Sequence, residues 1–230
     1  MNGSTISSSF TTPNPTGSRP VVGATFYYSR EDGTWNNSTT RWETTEGGGT
    51  CSCQPNGSGV AVIKNAITLD VARTIDVVEI RSGASLVNNG TDINLTVSST
   101  LNTLGTGYFN LRGDPLTVTG NVTLSGTGTS TNSKKMDIGG DLTVGSGTSL
   151  TTTSGTRDIE VAGSLTVDGT LTSARNIIMD GGYVTLTGTG SISSAQTFIV
   201  NAGNKTIPAT ASLTLAYKGH IPLPTMVRLL

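Results

Sequence analysis

Two carboxylates occupy matching positions in consecutive repeats, Asp137 in Met-Asp-Ile and Glu160 in Ile-Glu-Val. Equivalent residues of stacked strands lie about 5 Å apart. Two carboxyl groups that close raise the pKa of one of them, which supplies the general acid that hydrolysis of a glycosidic bond needs. The candidate catalytic residues are therefore Asp137, Glu160, Asp158 and Asp180, of which the last two flank the same strands.

The same carboxylates also fit an ordinary solvated face of a sheet. Lys135, Arg157 and Arg112 lie near them in the repeats and would compensate their charge. Exposed ion pairs of this kind are common and contribute little to stability. We therefore favour a charged surface over a glycoside hydrolase or polysaccharide lyase, and we lean toward a non-catalytic protein.

One threonine is predicted to face outward from each middle strand of the repeat, and this row includes Thr117, Thr143, Thr166 and Thr185. Threonine has a high β-propensity and covers a solvated sheet face well, which explains the row without any ligand. A flat, regular array of hydroxyl groups would instead bind an ordered surface such as ice or crystalline polysaccharide. We prefer the first interpretation and keep the second as an alternative.

Aromatic residues are concentrated before the repeats begin, in the segment from Ala24 to Gly57. They include Tyr27, Tyr28, Trp35 and Trp42. An uncovered first turn of a repeat protein would expose strand edges and apolar core, so we expect these residues to form a cap. The alternative is a ligand-binding role, as an aromatic platform for sugar rings.

Cysteine and histidine are scarce, which limits metal and nucleophile chemistry. Cys51 and Cys53 form Cys-Ser-Cys, and a single intervening residue rarely suits disulfide geometry. Two thiolates alone do not make a zinc site, and His220 is far away in the sequence. We predict an oxidised or free cysteine pair in the cap, no metal, no cofactor and no Ser-His-Asp triad.

The chain is long and weakly charged: 230 residues, of which 13% are charged and 5% aromatic. Its net charge of -1 disfavours nucleic acid and anionic membranes as partners. No apolar run predicts a transmembrane helix, and the start MNGSTISSSF lacks the basic and apolar parts of a signal peptide. The richness in Gly, Ser, Thr and Asn is nonetheless typical of extracellular proteins, so we expect a location outside the cell or on its surface.

An internal repeat must position these groups. It has three short strands separated by Gly, Asp, Asn or Ser, as in IEVAGSLTVDGTLTSA from Ile159 to Ala174. A period of about 20–25 residues with three strands and small corner residues predicts an all-β fold, a right-handed parallel β-helix with an N-terminal aromatic cap. Alternation directs the apolar residues of each strand inward.

The middle strands are predicted to begin at Leu95, Leu116, Leu142, Leu165, Val184 and Lys205. Residues 109–111 and 136–138 are predicted as stacked first strands, and residues 126–135 as a short corner insertion.

These patterns divide the chain into four parts. Residues 1–23 are predicted as a disordered lead, 24–57 as the cap, 58–215 as the β-helix and 216–230 as an atypical tail. The tail is apolar, contains proline and breaks the rhythm of strands and turns. It fits either a C-terminal cap or the out-of-frame end of a longer repeat protein.

Two motifs resemble the start of solenoid modules in large secreted, adhesin-like surface proteins of Bacteroidota. The first comprises Tyr28-Ser29, G-T-W-N, Trp42 and C-S-C-Q-P, and the second is I-R-S-G-A-S-L from Ile80 to Leu86. The resemblance implies export by type IX secretion and a role at the cell surface or in a matrix. The β-helix architecture is also similar to that of pectin-active lyases and hydrolases, but their catalytic signature does not map onto this chain.

We therefore expect a non-catalytic extracellular β-solenoid module for adhesion, surface structure or polysaccharide contact. Its expected partners are a polysaccharide or a cell-surface glycan, without nucleic acid and without membrane insertion. The open end of a solenoid would also allow end-to-end self-association. The alternatives are a polysaccharide-active enzyme that uses the carboxylates and an ice or crystalline-surface binder that uses the threonine row.

Overall fold

The computed structural model describes residues 24–88, 93–112, 115–181, 183–201, 204–207, 214–217 and 227–229. Every regular element within these ranges is a β-strand. The predicted lead 1–23, His220 and most of the predicted tail lie outside the described residues.

The strands of the N-terminal part differ in length from those that follow. The N-terminal strands are β1 (Phe26–Ser29), β2 (Gly33–Thr34), β3 (Trp42–Glu43), β4 (Gly57–Ile63), β5 (Ala66–Leu69), β6 (Arg73–Ile80), β7 (Ser85–Asn88), β8 (Leu95–Thr103) and β9 (Tyr108–Leu111). Three of them, β4, β6 and β8, have 7, 8 and 9 residues, whereas most later strands have three or four.

The later strands repeat in groups of three. They are β10 (Leu116–Val118), β11 (Val122–Leu124), β12 (Thr129–Asn132), β13 (Met136–Ile138), β14 (Leu142–Val144), β15 (Ser149–Thr152), β16 (Ile159–Val161), β17 (Leu165–Val167), β18 (Thr170–Ser173), β19 (Ile177–Met179), β20 (Tyr183–Thr187), β21 (Ser191–Ser194), β22 (Phe198–Val200), β23 (Asn204–Ile207), β24 (Thr214–Tyr217) and β25 (Val227–Leu229).

Parallel stacking of these strands produces three faces, and the predicted parallel β-helix is confirmed. Face one stacks β8, β10, β13, β16, β19 and β22, and face two stacks β8, β11, β14, β17 and β20. Strand β8 belongs to both because its first half pairs with β10 and its second half with β11. Face three is a nine-stranded sheet in the order β2-β5-β7-β9-β12-β15-β18-β21-β24.

The core lies between the three faces. The three-residue strands from β10 to β19 have a buried, half-buried, buried pattern, as in β14, where Leu142 and Val144 point inward and Thr143 outward. The predicted inward residues of the strands from β9 to β19 are buried. Alternation within a strand therefore assigned the two sides of the sheet correctly.

The predicted stacking of residues 109–124 was wrong by one face. Strand β9 lies under β12 instead of β13, β10 lies under β13, and β11 lies under β14. The cause is β12, which lies inside the predicted corner insertion. Its inward residues are the buried polar Ser130 and Asn132, so it lacks the apolar alternation that marks a strand.

Buried polar side chains close the corner between face three and face one. Asn132 donates from Nδ2 to the carbonyl oxygens of Lys134 and Lys135, at 2.8 and 3.1 Å. Ser173, two turns later in the same inward column, donates to the carbonyl oxygen of Asn176 at 3.2 Å. These bonds satisfy corner carbonyl groups that no strand partner reaches, which explains why the column is polar.

The two ends of the chain add strands to the stack. At the N-terminal end β1 pairs parallel with β4, and β3 pairs antiparallel with β1. Trp35 and Trp42 are fully buried in the cluster that continues into the β-helix core. At the other end β25 pairs parallel with β23, so residues 227–229 of the predicted tail form a strand rather than breaking the pattern.

Candidate ligand-binding faces

The predicted neighbours Asp137 and Glu160 do face each other on face one, as register partners of β13 and β16. A single cation bridges them: Lys135 Nζ lies 2.9 Å from Asp137 Oδ1 and 3.1 Å from Glu160 Oε2. The hydrogen bond to Asp137 is the main cause that raises the pKa of Lys135, and burial opposes it. Lys135 therefore offsets the repulsion between the two carboxylates.

Replacing Lys135 with methionine is expected to lower the free energy of unfolding by about 0.5–1 kcal/mol, because two adjacent carboxylates then lack their shared cation. Since the pKa of Lys135 is raised in the folded state, its contribution is complete at neutral pH. It is lost as the pH rises through that raised pKa, above about 10.4. Urea titrations between pH 7 and 11 would show the two proteins converging at the alkaline end.

A Glu160→Gln change in the Lys135→Met background is the control. Removing one of the two repelling charges is expected to restore most of the lost stability. An equal effect of Lys135→Met with and without Glu160→Gln would contradict the bridging role.

The other two candidate carboxylates act within corners. Asp158 Oδ1 accepts the Asn176 backbone N–H at 3.2 Å and lies 3.5 Å from Arg175 Nε. Asp180 accepts a hydrogen bond from the Asn201 side chain at 2.6 Å. Both hydrogen bonds join one turn to the next, so a structural role explains the presence of these two carboxylates.

The tryptophans are not available to a ligand. Trp35 and Trp42 are both 0% exposed, and each indole N–H donates to a backbone carbonyl, of Pro55 and Trp35 respectively. A sugar platform built on their ring faces is therefore wrong, because the core covers those faces. Tyr27 is half-buried and packs on the same core, whereas Tyr28 remains partly exposed on the outer side of β1.

Cys51 and Cys53 are joined by a disulfide bond, with their Cα atoms 5.0 Å apart. Ser52 between them has a φ of +46° and is the one non-glycine residue with positive φ in the part of the chain that the structure describes. This left-handed turn brings the two cysteines together across a single residue, which the spacing alone did not favour. No group of three or more His, Cys, Asp or Glu side chains suited to a metal occurs among the described residues.

The predicted threonine row is divided between two faces. Thr117 lies on face one between Thr96 and Asp137, whereas Thr143 and Thr166 are partners on face two. Thr187, and not Thr185, follows Thr166 in that column, while Thr185 pairs with Thr206 of β23. Thr117 was predicted in the same row as Thr143 because the stacking of residues 109–124 was predicted one face away from where it lies.

Face three carries a denser array, which we name the hydroxyl grid. Its first column is Thr129, Ser149, Thr170 and Ser191, and its second is Thr131, Thr151, Thr172 and Ser193. Adjacent turns place equivalent hydroxyls about 4.8 Å apart, and the two columns are about 6.7 Å apart. None of the eight side chains is buried, and within the described chain none of their hydroxyls has an intramolecular hydrogen-bond partner.

A shallow depression of about 410 Å³ adjoins the grid at the corner between faces two and three. Residues 147–149, 168–170 and 189–191 line it, and three of them, Ser149, Thr170 and Ser191, belong to the first grid column. The depression therefore does not lie over Asp137 and Glu160. Concavity and free hydroxyl groups occur together on face three, away from the carboxylate pair.

No known family model, curated protein or solved structure matches this chain. Within the described residues no helix is long and apolar enough to cross a membrane. Functional inference therefore depends on the geometry of the faces.

Proposed function

We propose that this protein is a non-catalytic extracellular module that adheres to an ordered polysaccharide surface through the hydroxyl grid of face three. The observation that supports this most directly is the grid itself: eight hydroxyl side chains in two unbroken columns over four turns. No charged residue interrupts it, which favours a neutral ligand.

Rigidity is what makes such a grid useful. A single hydroxyl hydrogen bond contributes only about 0.5–1.5 kcal/mol because water competes for it. Backbone bonds of face three fix the spacing of all eight side chains before any ligand arrives, so little further ordering is needed on binding. A periodic ligand would engage many groups together, and the weak contributions would add through multivalency.

Export to the cell surface is part of the same proposal. The disulfide between Cys51 and Cys53 supports an oxidising compartment. The resemblance of the cap motif to exported, adhesin-like proteins of Bacteroidota points the same way. A hydrolase or lyase is less well supported, because Lys135 pairs with both carboxylates and the described depression lies elsewhere.

Ice is the second candidate ligand. The grid is regular in two directions, as a lattice plane requires, and its members are mostly threonine. One experiment distinguishes polysaccharide from ice as the ligand. The same protein is tested for retention on insoluble cellulose, chitin and xylan and for inhibition of ice recrystallisation.

The variant Thr151→Lys/Thr172→Lys is expected to reduce retention on the preferred polysaccharide at least about tenfold, because two long ammonium side chains stand above the middle of a flat neutral face. Thr117→Lys on face one is the matched control and should bind like the wild-type protein. Equal retention of both variants would contradict the assignment to face three. Inhibition of ice recrystallisation without polysaccharide retention would favour the second candidate.

A further inference from the structure

The outer side of the cap carries an aromatic pair, of which the sequence analysis singled out Tyr28 but not Phe26. Phe26 is 40% exposed, the largest value among the large apolar side chains described. Its ring stacks beside that of Tyr28, with centroids 6.1 Å apart and planes 17° from parallel. Register places Phe26 above Val60 and Tyr28 above Val62 on the extended sheet of β1, β4 and β6.

Charged side chains border this pair on one side. Lys64 Nζ lies 5.5 Å and Arg81 Cζ 5.9 Å from the centre of the Tyr28 ring. Glu46 accepts from Arg81 at 2.8 Å and lies 3.4 Å from Lys64. Burial is the main cause that raises the pKa of Tyr28, so its phenol stays protonated and can donate a hydrogen bond. The patch therefore combines an exposed ring face with donors and acceptors held in place.

We propose that this cap patch, formed by Phe26, Tyr28, Lys64, Arg81 and Glu46, binds one pyranose ring of a neutral glycan. A pyranose presents apolar C–H groups on one face and hydroxyl groups around its edge. An exposed aromatic ring matches the first, and fixed charged groups give strong hydrogen bonds to the second. The choice of a glycan rests on the proposed function, while the site is separate from the hydroxyl grid.

The charge of the patch decides against an anionic ligand. Arg81 pairs with Glu79 at 2.9 Å as well as with Glu46, and Lys64 also lies 3.2 Å from the buried Glu43. Each cation thus already has carboxylate partners, so a phosphate or sulfate would have to displace them. A neutral hydroxyl can join these hydrogen bonds without breaking the ion pairs.

Register also shows where a longer glycan would go. The outward column that begins at Tyr28 passes over the buried Val62 and continues through the half-buried Glu79 and Asn102 into the threonines of face two, Thr123, Thr143 and Thr166. This track runs parallel to the stacking direction and is polar from Glu79 onward. Affinity is therefore expected to rise with the number of sugar units.

Titration calorimetry with cellohexaose, xylohexaose and mannohexaose tests the patch in solution. Phe26→Ala is expected to weaken binding of the preferred hexasaccharide at least about tenfold, and Arg81→Ala to weaken it by a similar factor. Phe26→Trp should retain binding because it keeps an aromatic face. Val71→Ala is the matched control, since Val71 is 38% exposed and precedes β6, whereas Arg81 follows that strand. Circular dichroism melting verifies that each variant is folded.

The outcomes separate the patch from the grid. Binding by Phe26→Ala within twofold of wild type, or no hexasaccharide binding by the wild-type protein, would overturn the patch. Retention on insoluble polysaccharide that survives in Phe26→Ala but is lost in Thr151→Lys/Thr172→Lys leaves the proposed function intact. Hexasaccharide binding that depends on Phe26, without retention on any insoluble polysaccharide, supports the patch and removes the grid function.

Discussion

Trp42→Ala is expected to lower the free energy of unfolding of the N-terminal part by about 3–5 kcal/mol. The Trp42 indole is fully buried, lies 5.3 Å from the Trp35 ring centre and donates to the Trp35 carbonyl oxygen at 2.9 Å. Its own carbonyl oxygen accepts the Cys51 backbone N–H at 3.0 Å. Truncation therefore leaves a large cavity and deprives the buried Trp35 carbonyl oxygen of the indole N–H donor, while the backbone bond to Cys51 remains.

The loss should stay local, because each turn of a solenoid contacts only its neighbours. Hydrogen exchange is expected to accelerate in β1, β3 and β4 while β13 to β18 keep their protection. Tyr108→Ala is the matched control: this aromatic side chain is 38% exposed, and its removal should cost less than about 0.5 kcal/mol. If Trp42→Ala left stability unchanged but abolished glycan binding, Trp42 would be a sugar-binding residue and not a core residue of the cap.

The fold could be predicted from the sequence because the inward positions repeat a simple pattern. Strands such as β14 and β17 have Leu and Val on either side of an outward threonine, and period-two alternation identifies the buried side without further information. A period close to twenty residues then requires stacked turns. The same rule fails at β12, where Ser130 and Asn132 are inward: Ser130 accepts the Phe109 N–H of β9, and Asn132 donates to a corner carbonyl.

That one missed strand also concealed where the grid begins. Thr129 and Thr131 of β12 start its two columns, and without β12 the outward Thr117 of β10 was predicted beside Thr143 of β14, which lies on a different face. A sequence search for Thr/Ser-x-Thr/Ser at the spacing of one turn would have found face three. Inward-facing polar residues of a strand can be recognised as buried only after their hydrogen-bond partners are known.

The carboxylate pair was predicted in position, and Lys135 was predicted among the cations that compensate its charge, but the bridge from one ammonium to both carboxylates was not predicted. Register follows from the repeat, so Asp137 and Glu160 had to be neighbours. The placement of the Lys135 ammonium between them depends on side-chain rotamers, which no repeat pattern encodes. Phe26 was overlooked for a related reason, since aromatic clustering suggests a cap but does not say which ring stays exposed.

Side chains at the corners of face two link successive turns and hold the faces in register. Asn121 Oδ1 accepts the Asp141 N–H at 2.9 Å, and Asp141 Oδ1 accepts the Ser164 N–H at 2.7 Å. At the next corner Asp168 Oδ1 accepts the Thr189 N–H at 3.0 Å. Each bond satisfies a corner amide in the following turn, so the alignment that the grid needs depends on the corners as well as on the strands.

Gly126→Ala is therefore expected to destabilise the protein by about 3 kcal/mol or more. Gly126 lies at the corner between β11 and β12, has a φ of +102° and leaves no room for a side chain, because an added Cβ would overlap the carbonyl oxygen of Gly105. That oxygen accepts the Thr127 N–H at 2.7 Å. An alanine must either open this bond or shift the backbone of two stacked turns.

Gly155→Ala provides the matched control, since an added Cβ meets nothing within 4 Å and its φ is outside the positive range. It should be neutral or stabilising by about 0.4–1 kcal/mol, because alanine restricts the unfolded chain. Urea unfolding of both variants measures the difference. Because the corner at Gly126 leads directly into the first grid row, Gly126→Ala should also weaken retention on polysaccharide. Equal stability of the two variants would mean that the turns do not stack as closely as this corner requires, and the fixed spacing of the grid would lose its physical basis.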